Sequence, residues 1–540
     1  MENTKKTKRF AAKAFTALML MVMLLVPVLS ACGGDKAVLK DIMTPTGTYP
    51  ILKDEYIGNF KLTMMAPSHY TLDINWQNNL FFKRMNELTG VDFNFNVFDM
   101  ETYGTKKPLA ITTSDGMPDF FFKALFDKTE VIRYGSQGTI IALEKYIDEN
   151  MPNLKALMAA DPQIAQIITA PDGHIYSLPT VGKKDAFHFV GLPWINQAWL
   201  ADCGLSMPTT PGEFKDMLIA FKAKYPGRYP MYLSGYAEIY WLLSFFGIDY
   251  DSYMQFDKNG DIEFGPNTDR YKAGLVWLNE LVREGLLNAD FAGSTVQKKW
   301  VEGAKNGGDN IGFFIDYAAY AVVGYDNANS YVTLNTVKND YFGKAMWRGA
   351  ASTTDGFFVV TKKCQYPEVI TRWLDTLYSE EYSKWVIIGK EDVEWKWDDA
   401  AHTTWSWLIP ANERADYLSR ATIQGGGGMP YLELDEAFQA KNSEPIVANN
   451  AAQTMRMQSI GFDGFPTIFL KNTSRIKQAS VMYADINKFI EEINVKVITG
   501  QWTLERAYQD YNTMADRLNI DGYMELFAEG YDIYVKNGGK

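Results

Sequence analysis

The sequence predicts an α/β protein built as at least two lobes. Roughly 500 residues remain after an amino-terminal export segment, more than one hydrophobic core usually organises. The chain is 47% apolar and 22% charged, ordinary values for a globular protein. Its first patterned stretch also runs strand, helix, strand, the order of a βαβ unit and a parallel sheet.

The elements follow in chain order. FKLTMMAP, residues 60–67, is a short β-rich run, and residues 79–89 form an amphipathic helix with Leu80, Phe81, Met85 and Leu88 on one face. VDFNFNVF, residues 91–98, alternates apolar and polar with period two, as a half-buried strand does. ITTSDGMPDFFFKAL, residues 111–125, runs from a helix end through a Ser-Asp-Gly turn into a strand at 119–122. GTIIALEKYIDENMPNLKAL gives a helix that stops before Pro152, and DGHIYSLPTV, residues 172–181, predicts a hairpin because Asp-Gly favours a tight turn. Pro211 opens a helix with Thr210 as its N-cap and Phe214, Met217, Leu218 and Phe221 on its apolar face.

FDKNGDIEFG, residues 256–265, spaces Asp257, Asn259 and Asp261 like a calcium loop. Ile262 stands where an EF-hand needs glycine and Thr268 where it needs glutamate, so an Asn-Gly hairpin is expected instead. Residues 268–287 form a strongly periodic helix, IGFFID at 311–316 is a buried strand, and Gly425 to Gly428 form a short turn. No internal repeat is apparent.

The amino terminus carries Lys5, Lys6, Lys8, Arg9 and Lys13, then an uncharged run from Ala14 to Leu29, the pattern of an export signal. A membrane-spanning anchor is the alternative, since the run with its flank approaches the ~20 residues a bilayer needs. The end of the run separates the two. Leu29-Ser30-Ala31-Cys32 resembles a bacterial lipobox, which implies cleavage before a lipidated Cys32. Residues 1–31 are then the signal peptide and 32–54, polar with Gly and Pro, a tether. Cys203 and Cys364 remain, too few for a disulfide framework, and form either one bridge or two free thiols.

The chain has 53 basic and 65 acidic residues; residues 1–31 hold five and one of these, so the exported part carries 48 against 64, near −16. That balance argues against nucleic acid and anionic lipid as partners. Aromatic residues make up 14% of the chain, and exported sugar-handling proteins use such side chains as flat platforms. Much of this content also serves as core. The four histidines show no HExxH spacing, and neither a G-x-S-x-G elbow nor a phosphate loop occurs. The expectation is a protein that is not an enzyme and holds no metal or cofactor; a surface glycoside hydrolase or lyase, which would use the aromatics equally well, and a non-transporting accessory or sensory lipoprotein are the alternatives.

Five segments in order resemble the extracellular solute-binding proteins of ABC transporters, family 1. They are FFKRMNELTGVDFNFNVF with ITTSDGMPDFFF; GTIIALEKYIDENMPNLKAL with DGHIYSLP; PWINQAWLADCGLSMPTTPGEFKDMLIAFKAKYP; DGFFVVTKKCQYPEVITRWLDTLYSEE; and INVKVITGQWTLERAYQDYNTMADRLNIDGYMELFAEGYDIY. The likeness is to the large lipoprotein branch, which is LipO-like and similar to oligosaccharide- and alginate-binding proteins. It implies a periplasmic-binding-protein-like type II fold, with two α/β lobes joined by a hinge and a ligand cleft between them. By resemblance, lobe 1 takes residues 55–187 and 357–410 and lobe 2 takes 188–356 and 411–540, with hinge strands near 187–192 and 356–360. The implied partners are an oligosaccharide, the transmembrane subunits of an ABC permease, and the membrane through Cys32. A monomer on the outer face of a Gram-positive cell is expected. Two departures stand out: Asn196-Gln197-Ala198 replaces an Arg-Lys-Asp run of relatives, and AKYPGRYPMYLSG lacks their acidic calcium loop.

Cleft residues in this architecture sit at the carboxyl ends of strands. Asp119, Tyr236, Trp241, Asp316, Tyr317, Trp347 and Arg348 are the candidate ligand-binding residues on that basis, with Trp405 and Trp407 behind them. Asp119 also fits a helix cap, and Trp241 also fits a core position.

Overall fold

The computed structural model describes residues 42–68, 75–113, 116–170, 172–182, 187–189, 191–249, 253–292, 310–351, 353–424, 428–465 and 473–536. The signal segment, Cys32 and most of the 425–428 turn lie outside the described residues.

The first lobe is a five-stranded sheet in the order Asp92–Asp99, Lys61–Ser68, Phe120–Phe122, Thr354–Val360, Leu178–Thr180. The first three strands are parallel, as the strand-helix-strand order requires, and Thr354–Val360 runs antiparallel to both of its neighbours. Helix Leu80–Thr89 is the crossover. Asn79 caps it by accepting from the Phe81 amide, and Gly90, in the left-handed region at φ 74°, ends it. Phe81, Phe82 and Met85 meet Phe120, Phe122 and Trp373 in the core. Each such side chain contributes ~1.5–3 kcal/mol by burial.

Two boundaries of this lobe differ from expectation. Ile42, Ile51 and Leu52 are buried in its core, and Arg372 donates to the carbonyls of Thr44 and Thr48. Residues 42–54, expected as the end of a tether, therefore pack as part of the folded body. Ile423, Met429 and Tyr431 also pack in the first core, so the lobe's second piece runs well past residue 410. Apolar side chains spaced through otherwise polar segments anchored both stretches, a pattern too sparse to read as periodicity.

The second lobe has a four-stranded sheet in the order Tyr331–Thr333, Leu192–Asn196, Ile311–Asp316, Tyr229–Met231. Ile311–Asp316 is parallel to Tyr229–Met231 and antiparallel to Leu192–Asn196. Helix Pro211–Lys224 covers it as predicted: Thr210 accepts from the Glu213 amide, and Phe214, Met217, Leu218 and Phe221 face inward. Helices Asp269–Arg283 and Thr473–Ile498 pack on the same core.

Between the sheets, Phe187–His188, Trp347–Ala351 and Gly461–Asp463 form a small sheet of their own with Trp347–Ala351 in the middle. This connecting sheet includes Phe187, at the start of the first expected hinge strand. The second hinge strand precedes the predicted 356–360, because Thr354–Val360 is an interior strand of the first lobe. Gly356 is needed there: its φ is 90° and a Cβ would run into the Phe126 carbonyl.

Two turn expectations resolve differently. Met254–Phe256 and Ile262–Phe264 form the expected hairpin, with Asp257 accepting from the amides of Asn259 and Asp261. Among the described residues no His/Cys/Asp/Glu cluster is suited to a metal. At 172–181 the turn closes only one bridge, Thr169 to Ile175, because Leu178–Thr180 is drawn instead to the buried Thr354–Val360 strand. Cys203 and Cys364 are both free thiols.

Candidate ligand cleft

In open α/β sheets, ligands gather at the carboxyl ends of the parallel strands. In the second lobe that edge is formed by residues after Met231, by Asp316 and Tyr317, and by Gly191 and Leu192, since Leu192 pairs with Asp316. Trp241, on helix Glu238–Leu243, reaches this edge and lies over Gly191. A Cβ at Gly191 would sit 2.8 Å from the Trp241 ring and from Ile315, so only glycine lets the indole lie this close.

Trp241 is half-buried and stacks on Trp347 with ring centres 6.5 Å apart and planes 20° apart. Trp347 itself is 1% exposed, and its Nε1 donates to the Gly191 carbonyl at 2.8 Å. It backs the Trp241 platform and presents no face to a ligand. Beside the platform, Asp316 accepts from the Ala318 amide at 3.4 Å, and burial pushes its carboxyl up to about 6. Glu238 lies behind it and takes the Ser234 amide at 3.0 Å and the Ser234 hydroxyl. Burial pushes Glu238 up to about 8, with neighbouring Asp316 adding to the rise and the Ser234 bonds opposing it. Tyr317 is 56% exposed at the same edge.

The edge can therefore offer an aromatic face and a poorly hydrated carboxyl to a polyhydroxylated ligand. Carboxylates accept hydroxyl donors strongly, and aromatic faces take the apolar side of a ring.

Three expected residues are placed elsewhere. Tyr236 turns inward, its hydroxyl 2.9 Å from Tyr240 Oη and accepting from Asn494 Nδ2 at 3.0 Å. Tyr240 and Tyr253 extend this network to Asn487, with Tyr253 donating to Asn487 at 2.6 Å. Burial holds the Tyr236 phenol well above its usual range. Arg348 is ion-paired with Asp249, whose other oxygen accepts from the Phe465 amide at 3.2 Å, and Gly464 leaves room for the guanidinium. It joins the hinge sheet to the second lobe. Asp119 sits at the amino end of its strand, opposite the cleft edge. Its carboxylate accepts from the Thr63 amide at 2.7 Å and its carbonyl from the Thr361 amide at 2.9 Å, so it ties strands together and caps no helix.

Trp405 and Trp407 pair with Trp395 and Trp397 in a two-stranded hairpin of the first lobe. Trp405 is buried and donates to the Phe438 carbonyl at 2.9 Å, while Arg414 lies over the Trp407 ring at 4.9 Å. Sequence reasoning missed Glu238 and Tyr320, both within electrostatic reach of Asp316; Tyr320 lies four residues beyond the strand's end.

Two α/β lobes, a connecting small sheet and a cleft edge of this composition define a type II periplasmic-binding-like solute-binding protein. The chain belongs to the family described as bacterial extracellular solute-binding protein, which matches residues 77–384. A relative in Streptococcus pneumoniae serotype 4, the fructooligosaccharide ABC transporter substrate-binding protein FusA, is 24% identical over 552 residues. That match covers 97% of this chain and 99% of FusA. The solved structure of FusA in complex with kestose has a TM-score of 0.72 at 21% identity, covering 88% of this chain and 100% of that one. A solute-binding protein from Bifidobacterium longum infantis, described as HMO binding and ABC-transporter associated, gives 0.72 at 18% identity over 88% and 99%.

Proposed function

We propose that the chain is a lipid-anchored extracellular receptor that captures an oligosaccharide and hands it to the transmembrane subunits of an ABC permease. The observation that carries this reading is the edge of the second sheet, where Trp241 packs at Gly191 beside Ile315 and the chain goes on to the Asp316 carboxyl and exposed Tyr317. A pyranose or furanose ring laid on the indole would place hydroxyls within reach of Asp316, each hydrogen bond adding a net ~0.5–1.5 kcal/mol. The ligands named for the similar proteins, kestose and HMO, are oligosaccharides. Closure of two lobes about a hinge is how such a receptor would report occupancy to a permease.

Cys32 would supply the attachment, through acyl chains worth ~0.8 kcal/mol per buried CH₂. The receptor would act as a monomer and without catalysis. A thermal-shift screen of the mature chain against glycans tests the reading. A ligand that binds only the folded protein stabilises it by ~2.7 kcal/mol at a hundredfold excess over Kd, so at least one oligosaccharide should raise Tm by several degrees. Release of glycan products during the incubation, or stabilisation by peptides and by no saccharide, would refute it.

A further inference from the structure

Helix Asp269–Arg283 ends beside the turn that joins helix Thr473–Ile498 to helix Leu504–Leu518, and a half-open cavity of about 410 Å³ lies between them. Val276, Val282, Val497 and Leu504 supply apolar wall, and Asn279 and Arg283 bring polar groups to it. None of the candidate cleft residues lines this cavity, so it is separate from the ligand edge.

Most polar groups at the cavity are already committed. Thr499 donates to the Val495 carbonyl at 2.7 Å, and Thr503 caps helix Leu504–Leu518 by accepting from the Arg506 amide at 3.2 Å. Asn279 Nδ2 donates to the carbonyls of Val497 and Ile498 at 3.0 and 3.2 Å, whereas its Oδ1 accepts no hydrogen bond among the described residues. No acidic residue lines the cavity. Lys496 and Arg506 lie over the Trp502 ring at 3.8 and 5.0 Å, each with a carboxylate of its own helix, Glu492 and Asp510. Arg283 is left over. It forms no ion pair among the described residues, and Lys215 holds the nearby Glu280 and Glu284, each at 2.8 Å.

What remains is an apolar volume with one uncompensated cation and one unused acceptor. The fold does not require it, since protein interiors are close-packed and a larger side chain at Val276, which is 40% exposed, would fill the space. Small-molecule sites have this make-up of apolar walls with a few placed polar groups, and a guanidinium pairs strongly with a carboxylate.

We propose that the cavity is a second binding site, for a small apolar acid that also carries a hydrogen-bond donor, as an N-acylated aliphatic amino acid does. Its carboxylate pairs with Arg283, its N–H donates to Asn279 Oδ1, and its aliphatic side chain sits among Val276, Val282, Val497 and Leu504. The site is independent of the saccharide reading and stands or falls without it.

The test is calorimetric titration of the mature chain with N-acetyl-leucine and three controls that each lack one feature: N-acetyl-leucine amide, 4-methylpentanoate and N-acetylglycine. N-acetyl-leucine should bind one to one with Kd on the order of 0.1–1 mM, the range open to a ligand of this size. Each control should bind about fivefold more weakly or worse, for the loss of one contact. Arg283→Gln and Val276→Phe, both at exposed positions, should each weaken N-acetyl-leucine by about fivefold or more and leave Tm within about 2 °C. Binding that persists in the presence of the oligosaccharide selected by thermal shift supports a separate site. Absence of binding at millimolar ligand, equal affinity for the amide, binding that both variants leave unchanged, or displacement by that oligosaccharide would overturn the proposal.

Discussion

Replacing Arg348 separates a ligand residue from a hinge residue. Its side chain is 16% exposed and that of its partner Asp249 is 6% exposed, so Arg348→Ala strands a carboxylate where water cannot reach it well. Removing one partner of a buried pair costs about 3–5 kcal/mol, and partial access for the guanidinium argues for the lower end, about 3 kcal/mol. The loss should fall on the second lobe and the hinge sheet together, because Asp249 also holds the Phe465 amide, just after the Gly461–Asp463 strand. A chain of two lobes need not unfold in one step, so urea unfolding should be followed both by tryptophan fluorescence and by far-UV circular dichroism. The double variant Arg348→Met with Asp249→Leu should recover at least half of the loss, since an apolar pair of similar volume can replace a buried ion pair. If Arg348→Ala unfolds within about 1 kcal/mol of wild type yet loses ligand affinity a hundredfold, the hinge assignment is refuted and Arg348 is a ligand residue.

Gly191→Ala should push the Trp241 ring off its seat, costing about 1–3 kcal/mol in overpacking and at least tenfold in saccharide affinity by titration calorimetry; unchanged affinity would place the ligand elsewhere. Asp316→Asn tests linkage. A carboxyl raised from 3.8 to about 6 by folding favours the folded state below pH 4 and loses that contribution as pH rises through 6. The amide should therefore stabilise the free protein near pH 7 by on the order of 2 kcal/mol while weakening the ligand, and a destabilised Asp316→Asn would contradict this. Tyr236→Phe should cost about 0.5–1.5 kcal/mol by removing the hydroxyl shared with Tyr240 and Asn494, the latter still donating to Tyr271, and leave affinity unchanged, as judged by unfolding and calorimetry on one preparation. His174, raised by its hydrogen bond with Glu144, should titrate above 6.5 by NMR, with a small stabilisation present below that pH and lost above the raised value.

Local rules carried much of the fold. The period-two run at 91–98, the Thr210-Pro211 start and the Asn-Gly hairpin at 256–265 each became the expected element, because turn chemistry and side-chain alternation act over a few residues. The lobe limits were less legible. Ile423 and Tyr431 join a core built mainly from residues hundreds of positions away, and no local pattern announces such a contact. The candidate cleft is legible as far as its strands: Trp241, Asp316 and Tyr317 lie toward one end of the second sheet because they follow its strands, whereas Tyr236, four residues ahead of Tyr240, faces the core. Asp119 is placed differently for another reason: it opens its strand, so chain direction alone puts it at the amino end, away from the carboxyl ends where cleft residues gather.

Amide hydrogen exchange, with and without a saturating oligosaccharide, tests the central claim most directly. Ligand should slow exchange in residues 232–243 and 314–325, with a smaller change in the hinge strands 347–351 and 461–463 and none around residues 117–120. Protection confined to 117–120 or to the Trp395–Trp407 hairpin, with 232–243 and 314–325 unaffected, would contradict the account.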